Sequence, residues 1–390
     1  MAKELVLKQD KLALLSDKQL LVLINRKMHN LSNDRGLNLD LDKIYYLSQQ
    51  VFYQIRGFGV LENLLKDDQI SEVMINDIDN IFIEKKGQLK RVNLKIESQD
   101  EYTRIIQKIV SQSGREINLS NPIVDAKLED GSRVNIVLPP ISKNQPVMTI
   151  RKFPKKHIDM DFLIATGTIT KEAALFLENL VKLKFGILIG GGTSSGKTTF
   201  LNALSEYIGR EERIVTIEDS RELQLINKEN LISLQSRNAN TANKGRIEIS
   251  DLIKNALRMR PDRIIVGEVR SSEAIDMLTA LNTGHEGGLT TAHANSCLDM
   301  ISRLETMVLR ADANIPLEVV KRMIGSSLDI LVHLSRLEKA KRRVLEISEV
   351  YFDDSQVSLN PIYTFDYKKD KLVATGNKLR HEKGKLLDEY

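Results

Sequence analysis

Apolar residues recur at three- and four-residue spacing through Leu12, Leu15, Leu20, Leu23 and Ile24, and again through Ile44, Leu47, Val51, Phe52 and Ile55. That period is helical and predicts a helical N-terminal arm over residues 1–57, interrupted by the polar stretch Asn30–Asn38. From residue 58 to 153 the pattern shortens. Glu72–Ile75 and Asn80–Glu84 read as strands joined by a turn at Lys85–Gln88. Asp100–Ser113 reads as an amphipathic helix with Ile105, Ile106, Ile109 and Val110 on one side. Ala126–Leu128 and Arg133–Leu138 flank the turn Glu129-Asp130-Gly131 as a hairpin, and Thr149–Phe153 adds another strand. These elements predict a small α/β N-terminal domain. Residues 154–170, with Pro154, a lysine pair and Gly167, read as a linker.

Residues 171–350 carry a different rhythm. The apolar runs Phe185–Ile189, Ile214–Ile217, Ile264–Gly267 and Leu289–His293 alternate with helix-period segments Lys197–Ile208, Ile249–Met259, Ser272–Leu281 and Leu298–Leu309. Alternation of that kind predicts an α/β domain with a mainly parallel sheet wrapped by helices, and ligands in such sheets lie at the carboxyl ends of strands. Residues 351–390 are rich in Lys, Arg, Asp and Glu and read as a charged C-terminal extension.

The candidate chemistry sits at those strand ends. Gly191, Gly192, Thr193, Ser194, Ser195, Gly196, Lys197 and Thr198 spell G-x-x-x-x-G-K-T, with Thr199 following, between a predicted strand and a predicted helix. This is the phosphate-binding loop pattern. Glycines let several backbone N–H groups face one anion, and the helix start adds its positive dipole end. Lys197 is placed to reach the β- and γ-phosphates of a nucleotide, and the Thr198 hydroxyl to ligate Mg²⁺. Arg263–Glu268 is a buried-type strand ending in a carboxylate, with Gly267 where phosphate-loop enzymes more usually carry aspartate. Glu268 is therefore expected to act through the metal shell or on water. Ile214–Asp219 ends likewise in Glu218 and Asp219, which can polarise water or hold a metal through water. Thr283–Asn295 gathers His285, His293 and two threonines, and suggests a segment near the γ-phosphate; His285, His293 and Cys297 lack the spacing of a structural zinc site. Arg133 and Arg151 fall on adjacent predicted strands of the N-terminal domain, and Arg258, Arg260 and Arg270 flank the Glu268 strand. Planar guanidinium donors suit the charge that builds on a transferring phosphoryl group.

Composition narrows the classes. The chain has 390 residues, a formal net charge of +4 and one cysteine, so no intrachain disulfide can form and a reducing compartment fits. The near-neutral balance, without a basic stripe interleaved with aromatics, argues against a nucleic-acid partner. Neither a secretory leader nor an apolar run of about 18 residues is evident. A partner at a membrane would have to recruit this chain.

The ordered motifs resemble the ATPases of type II and type IV secretion systems and of type IV pili, most nearly the tight-adherence (Tad/Flp) pilus assembly ATPase. The resemblance rests on residues 190–199, 213–219, 254–270, 282–296 and 302–308, and in the N-terminal domain on residues 57–62, 124–135 and 149–153. It covers roughly residues 57–350, and the Gly267-Glu268 pair is the usual form of this family's second motif. The resemblance implies a RecA-like P-loop motor domain preceded by a smaller α/β domain, a homohexameric ring, and ATP with Mg²⁺ bound between the two domains. It implies that Lys197 and Thr198 bind phosphate and metal, that Glu218 (the acidic box) and Glu268 are the candidates for activating water, and that Glu268 can share the metal. His285 and His293 match its histidine box, and Arg133 and Arg151 match arginines that reach the triphosphate. A cytoplasmic motor on the inner face of the cell membrane is then expected, driving pilus assembly or protein export through a polytopic inner-membrane platform protein and so acting indirectly on prepilins or secreted substrates. A type IV secretion motor for DNA or effectors is the alternative reading, and a nucleic-acid translocase of the RecA-like class a more distant one.

Overall fold

The computed structural model describes residues 14–37, 39–153, 157–237, 245–337 and 341–389, and the chain divides into two compact units, residues 1–155 and 156–390. Leu12, Asn38 and the linker residues 154–156 lie outside the described residues.

In the first unit, α1 (Asp17–Asp34) and α2 (Leu41–Arg56) form a helical pair. Ser16 and Gln19 close a reciprocal capping box at the start of α1, and Asp40 Oδ1 accepts the Lys43 N–H at 2.6 Å to start α2. Leu20 and Ile24 are buried, with Leu23, Val51, Phe52 and Ile55 packed around them. The short α3 (Glu62–Lys66) leads into β1 (Ile70–Asp77), β2 (Asn80–Lys85) and β3 (Gln88–Val92). After α4 (Gln99–Gln112) come β4 (Ile123–Lys127), β5 (Arg133–Val137) and β6 (Val147–Arg151). The strands pair antiparallel in the order β3-β2-β1-β6-β5-β4. Alternate residues such as Val73, Ile75, Val134 and Ile136 point to one core, where Ile105, Ile106 and Ile109 of α4 meet them.

The second unit is built on a nine-stranded sheet. Helices α5 (Met160–Ala165) and α6 (Lys171–Lys182) precede β7 (Ile187–Gly191), followed by α7 (Lys197–Ser205), β8 (Ile214–Glu218), β9 (Leu231–Gln235) and α8 (Ile249–Ala256). Then come β10 (Arg263–Val269), α9 (Glu273–Asn282), β11 (Leu289–His293), α10 (Cys297–Ala311), α11 (Leu317–Ser327), β12 (Ile330–Arg336), β13 (Arg342–Asp353), β14 (Gln356–Asp366) and β15 (Lys371–Ala374). The strands lie in the order β15-β14-β13-β12-β7-β11-β10-β8-β9; β12, β7, β11, β10, β8 and β9 run parallel, and β13–β15 return as an antiparallel meander. Two cores cover the two faces. Ile187, Ile189 and Ile265 pack with α5–α7, whereas Leu188, Ile264 and Val266 pack with α8–α11. The continuous apolar runs follow from this: a strand covered on both faces has no solvent side.

Several expectations shift. Phe185 lies before β7 rather than in it; between them, Gly186 N donates to a side chain, Asp329 Oδ2 at 2.7 Å, instead of to a neighbouring strand. β9 and β12 were not anticipated. The stretch after residue 350 is not an appended extension at that boundary: β13 runs through it, and Ile362, Tyr363 and Leu372 of β14 and β15 are core residues. Beyond them, buried Glu349 of β13 accepts the backbone N–H groups of Arg380 and His381 at 2.7–2.9 Å. No helix among the described residues is long and apolar enough to cross a membrane.

Candidate active site

The loop after β7 is shaped by steric necessity. A Cβ on Gly191 would stand 2.4 Å from the Leu334 carbonyl oxygen and 2.5 Å from Ser195 Oγ, so only glycine fits. Ser194 and Gly196 hold φ of +59° and +98°, the left-handed region. Left-handed residues interleaved with ordinary ones turn successive N–H groups toward a common point, an anion nest. Gly196 then starts α7, whose first turn receives no side-chain cap. Ser195 Oγ is buried in the loop without a hydrogen-bond partner. Gly192 and Thr193 are exposed on the loop, and Thr199 is half-buried in the first turn of α7. An unpartnered hydroxyl, a nest and an uncapped helix start fit a phosphate.

Lys197 is buried, and its ammonium donates to the carbonyls of Gly191 at 3.0 Å and Gly192 at 3.1 Å. The same Nζ stands 3.3 Å from His293 Nδ1 at the end of β11. An ammonium can only donate, so Nδ1 accepts and the imidazole proton sits on Nε2. Nε2 lies 3.0 Å from buried Glu268 Oε1, within ion-pair range but without the alignment of a hydrogen bond, so Oε1 keeps open accepting capacity. Glu268 Oε2 in turn accepts Arg270 Nη2 at 2.6 Å, and Arg270 Nη1 is 3.9 Å from Asp219 Oδ2. Burial, then the positive charge of Lys197, holds the His293 pKa below the ordinary imidazole range, against the opposing pull of Glu268. The bond from Glu268 raises the Arg270 pKa.

Glu218 is buried at the end of β8, where its Oε1 accepts the backbone N–H groups of Glu222 at 2.7 Å and Leu223 at 2.9 Å. Its neighbour explains the unusual Gly267: a Cβ at that position would stand 2.9 Å from Glu218 Cγ. The space that an aspartate on β10 would fill is taken by the Glu218 stem from β8. Thr198 Oγ1 donates to Glu222 Oε2 at 3.1 Å. Glu222 thus joins the site, although nothing in the sequence marked it; its place depends on Glu218 turning the chain back toward α7.

The remaining sequence candidates divide. Arg133 and Arg151 are direct cross-strand partners on β5 and β6, and Arg151 Nε lies 3.8 Å from Glu72 Oε1. Both belong to the first unit, whereas Lys197, Thr198, Glu218, Glu268 and His293 belong to the second. The expectation that both histidines lie near the γ-phosphate requires correction. His293 ends β11 beside Gly191, but His285 precedes β11 and lines a cavity of about 10 Å³ with Ile253, Ile264 and Met277. The strand between them separates the two by its length, at ~3.3 Å per residue. Arg258 and Arg260 likewise precede β10, at the edge opposite Glu268; only Arg270 of that trio joins the carboxylates.

A parallel sheet with a phosphate loop at its carboxyl edge, a strand-end glutamate and a histidine bridging loop lysine to that glutamate define a P-loop nucleotide hydrolase with a RecA-like core. Residues 54–371 match the family described as "Type II/IV secretion system protein". The chain belongs to this family, the type II/IV secretion ATPases. It is 32% identical over 319 residues to a putative conjugal transfer protein of Mycobacterium tuberculosis, covering 80% of this chain and 90% of that one. It is 33% identical over 291 residues to conjugal transfer protein TrbB of Rhizobium radiobacter, covering 73% and 85% respectively. With the type IV secretion system protein VirB11 of Bartonella quintana it shares 28% identity over 366 residues, 85% of this chain and 97% of that one. Among solved structures, the pilus retraction motor PilT with bound ADP covers 84% of this chain and 85% of its own at a TM-score of 0.54 and 19% identity, a likeness of fold.

Proposed function

We propose that this chain hydrolyses ATP with Mg²⁺ to drive a type IV secretion or pilus-assembly machine. The observation that carries the reading is the contact series Lys197–His293–Glu268, which joins the phosphate loop to a carboxylate oxygen with open accepting capacity. Lys197 and the loop N–H groups bind and orient the phosphates. Thr198, with Glu268 or Glu222 nearby, would hold Mg²⁺, which would supply charge neutralisation. Glu268 Oε1 takes the proton of the attacking water, and neutral His293 holds that carboxylate in register with Lys197. Glu218 acts differently: with two backbone donors on one oxygen, it fixes the turn that carries Glu222 to Thr198.

Family membership, Arg133 and Arg151 paired on one sheet, and the resemblance of the motifs support further steps of the same reading. The chain would assemble as a homohexamer in the cytoplasm at the inner face of the membrane, with Arg133 and Arg151 reaching the triphosphate. Closing on ATP and opening after hydrolysis would move a polytopic membrane partner. Prepilins or secreted proteins would be handled indirectly, and a tight-adherence system is the first expectation from the sequence phrases. The names of the relatives favour a second reading, a conjugal-transfer or type IV secretion motor. Purified wild type should release phosphate from ATP only with Mg²⁺, and Lys197→Ala should not. Equal rates in the two proteins would overturn the assignment. Stimulation by DNA at low salt would favour a nucleic-acid translocase instead.

A further inference from the structure

The β12–β13 hairpin carries three consecutive basic residues, Lys341, Arg342 and Arg343, and only the middle one is turned to the phosphate loop. Lys341 Nζ pairs with Asp370 Oδ2 at 2.8 Å, and Arg343 donates to the Thr166 carbonyl at 3.1 Å. Arg342 Nε instead donates to the Ser194 carbonyl at 3.2 Å. Its stem also lies against the loop, since a Cβ on Gly196 would stand 3.1 Å from Arg342 Cδ. Topology dictates this placement. β12 runs parallel to β7 with Leu334 opposite Gly191, so the hairpin that follows emerges at the sheet edge where the loop begins; Arg342 is the cross-strand partner of Arg336.

We propose that Arg342 contacts the bound nucleotide itself, holding the α-phosphate end through its guanidinium. The inference rests on the reading of the loop as a nucleotide site. The sheet order decides which end. β12 flanks β7 on one side, and β11, β10 and β8 lie on the other. His293, Glu268 and Glu218 all come from that other side, where Lys197 Nζ also reaches His293. A triphosphate whose reacting end faces that group lies with its α-phosphate and ribose toward the β12 side. The part that meets Arg342 is therefore common to ATP and ADP. A guanidinium suits the task because its fork of donors can exchange a loop carbonyl for phosphate oxygens without moving its stem from Gly196.

The test is a titration of wild type, Arg342→Ala and Arg342→Gln with fluorescent ADP and ATP analogues, alongside steady-state ATP hydrolysis and thermal melting without nucleotide. Both variants should weaken ADP and ATP equally, by about tenfold to a hundredfold. KM should rise in step, kcat at saturating ATP should stay within about twofold of wild type, and melting without nucleotide should be unchanged. Unchanged ADP affinity overturns the inference, as does a loss confined to ATP and kcat, which would move the contact to the γ-phosphate. Wild-type affinity in Arg342→Gln, which retains stem packing, also overturns it. Failure of the underlying reading shows separately: wild type would bind neither nucleotide, or Lys197→Ala would bind both like wild type.

Discussion

Lys197 Nζ and Glu268 Oε1 are joined through one imidazole, whose Nδ1 lies 3.3 Å from the ammonium and whose Nε2 lies 3.0 Å from the carboxylate. The phosphate-binding cation and the strand-end acid are thus mechanically linked. Replacing His293 by Asn should lower kcat by roughly tenfold to a hundredfold while nucleotide affinity changes little. Steady-state kinetics beside direct nucleotide binding checks this. A rise in KM alone would place His293 in ground-state binding.

The pH dependence follows from the same residue. Burial and Lys197 keep His293 below its ordinary 6.5. Catalysis that needs the neutral imidazole therefore persists below that pH and is lost only as pH falls further, on a limb that His293→Asn should erase. Stability has the opposite onset. The unfolded chain takes up the proton first, so stability declines as pH drops through 6.5 and the full penalty is reached below the folded-state value. Buried His333, also held low by desolvation, adds to this slope. Melting temperatures measured across this range should fall toward acid, less steeply in His293→Asn.

Gly267→Ala should destabilise the second unit by about 1–3 kcal/mol, because the added methyl meets Glu218 Cγ. The cost should largely vanish when Glu218 is also replaced by Ala. Denaturant unfolding of the two single variants and the double variant measures the coupling, and additive costs would refute the overlap.

Arg263 is fully buried and binds Glu212 through two nitrogens, at 2.7 and 3.2 Å, while donating to the carbonyls of Gly287 and Val181. Removing one partner leaves a buried charge uncompensated. Arg263→Met should cost about 3–5 kcal/mol by the same measurement, and more than Lys184→Met, whose Nζ is 3.7 Å from Glu212 and half-exposed.

Truncation after residue 350 removes the end of β13 and all of β14 and β15, uncovering Val344, Ile347 and their neighbours. Such a protein should aggregate or lose cooperative unfolding, as followed by gel filtration and circular dichroism. A soluble, cooperatively folded product would mean that the meander is dispensable.

That last case shows where the sequence was opaque. Ile187–Gly190 and Ile264–Val266 announce themselves because both faces of those strands are covered, so polar residues are excluded. β14 pairs antiparallel near the sheet edge and interleaves Ile362 and Tyr363 with Gln, Ser, Asn and Pro361, so its polar residues and proline mask its pattern. The phosphate loop was legible since its chemistry is local to residues 191–199. Glu222 and Arg342 reach that loop only through the Glu218-supported turn and the β12–β13 hairpin, and no spacing in the chain encodes either approach. The paired placement of Arg133 and Arg151 was readable because it needs only adjacent strands.

The close fit of Gly267 against the Glu218 stem has a bearing on how such a site can vary. Beside Glu268, a further acid can stand at position 218 on β8 or at position 267 on β10, but those two positions share one volume, so a side chain gained at 267 requires one lost at 218. A single-step exchange passes through an intermediate that is either crowded or lacks an acid at both positions. The location of the second carboxylate is thus a frozen choice between two neighbouring strands, changeable only by paired substitution.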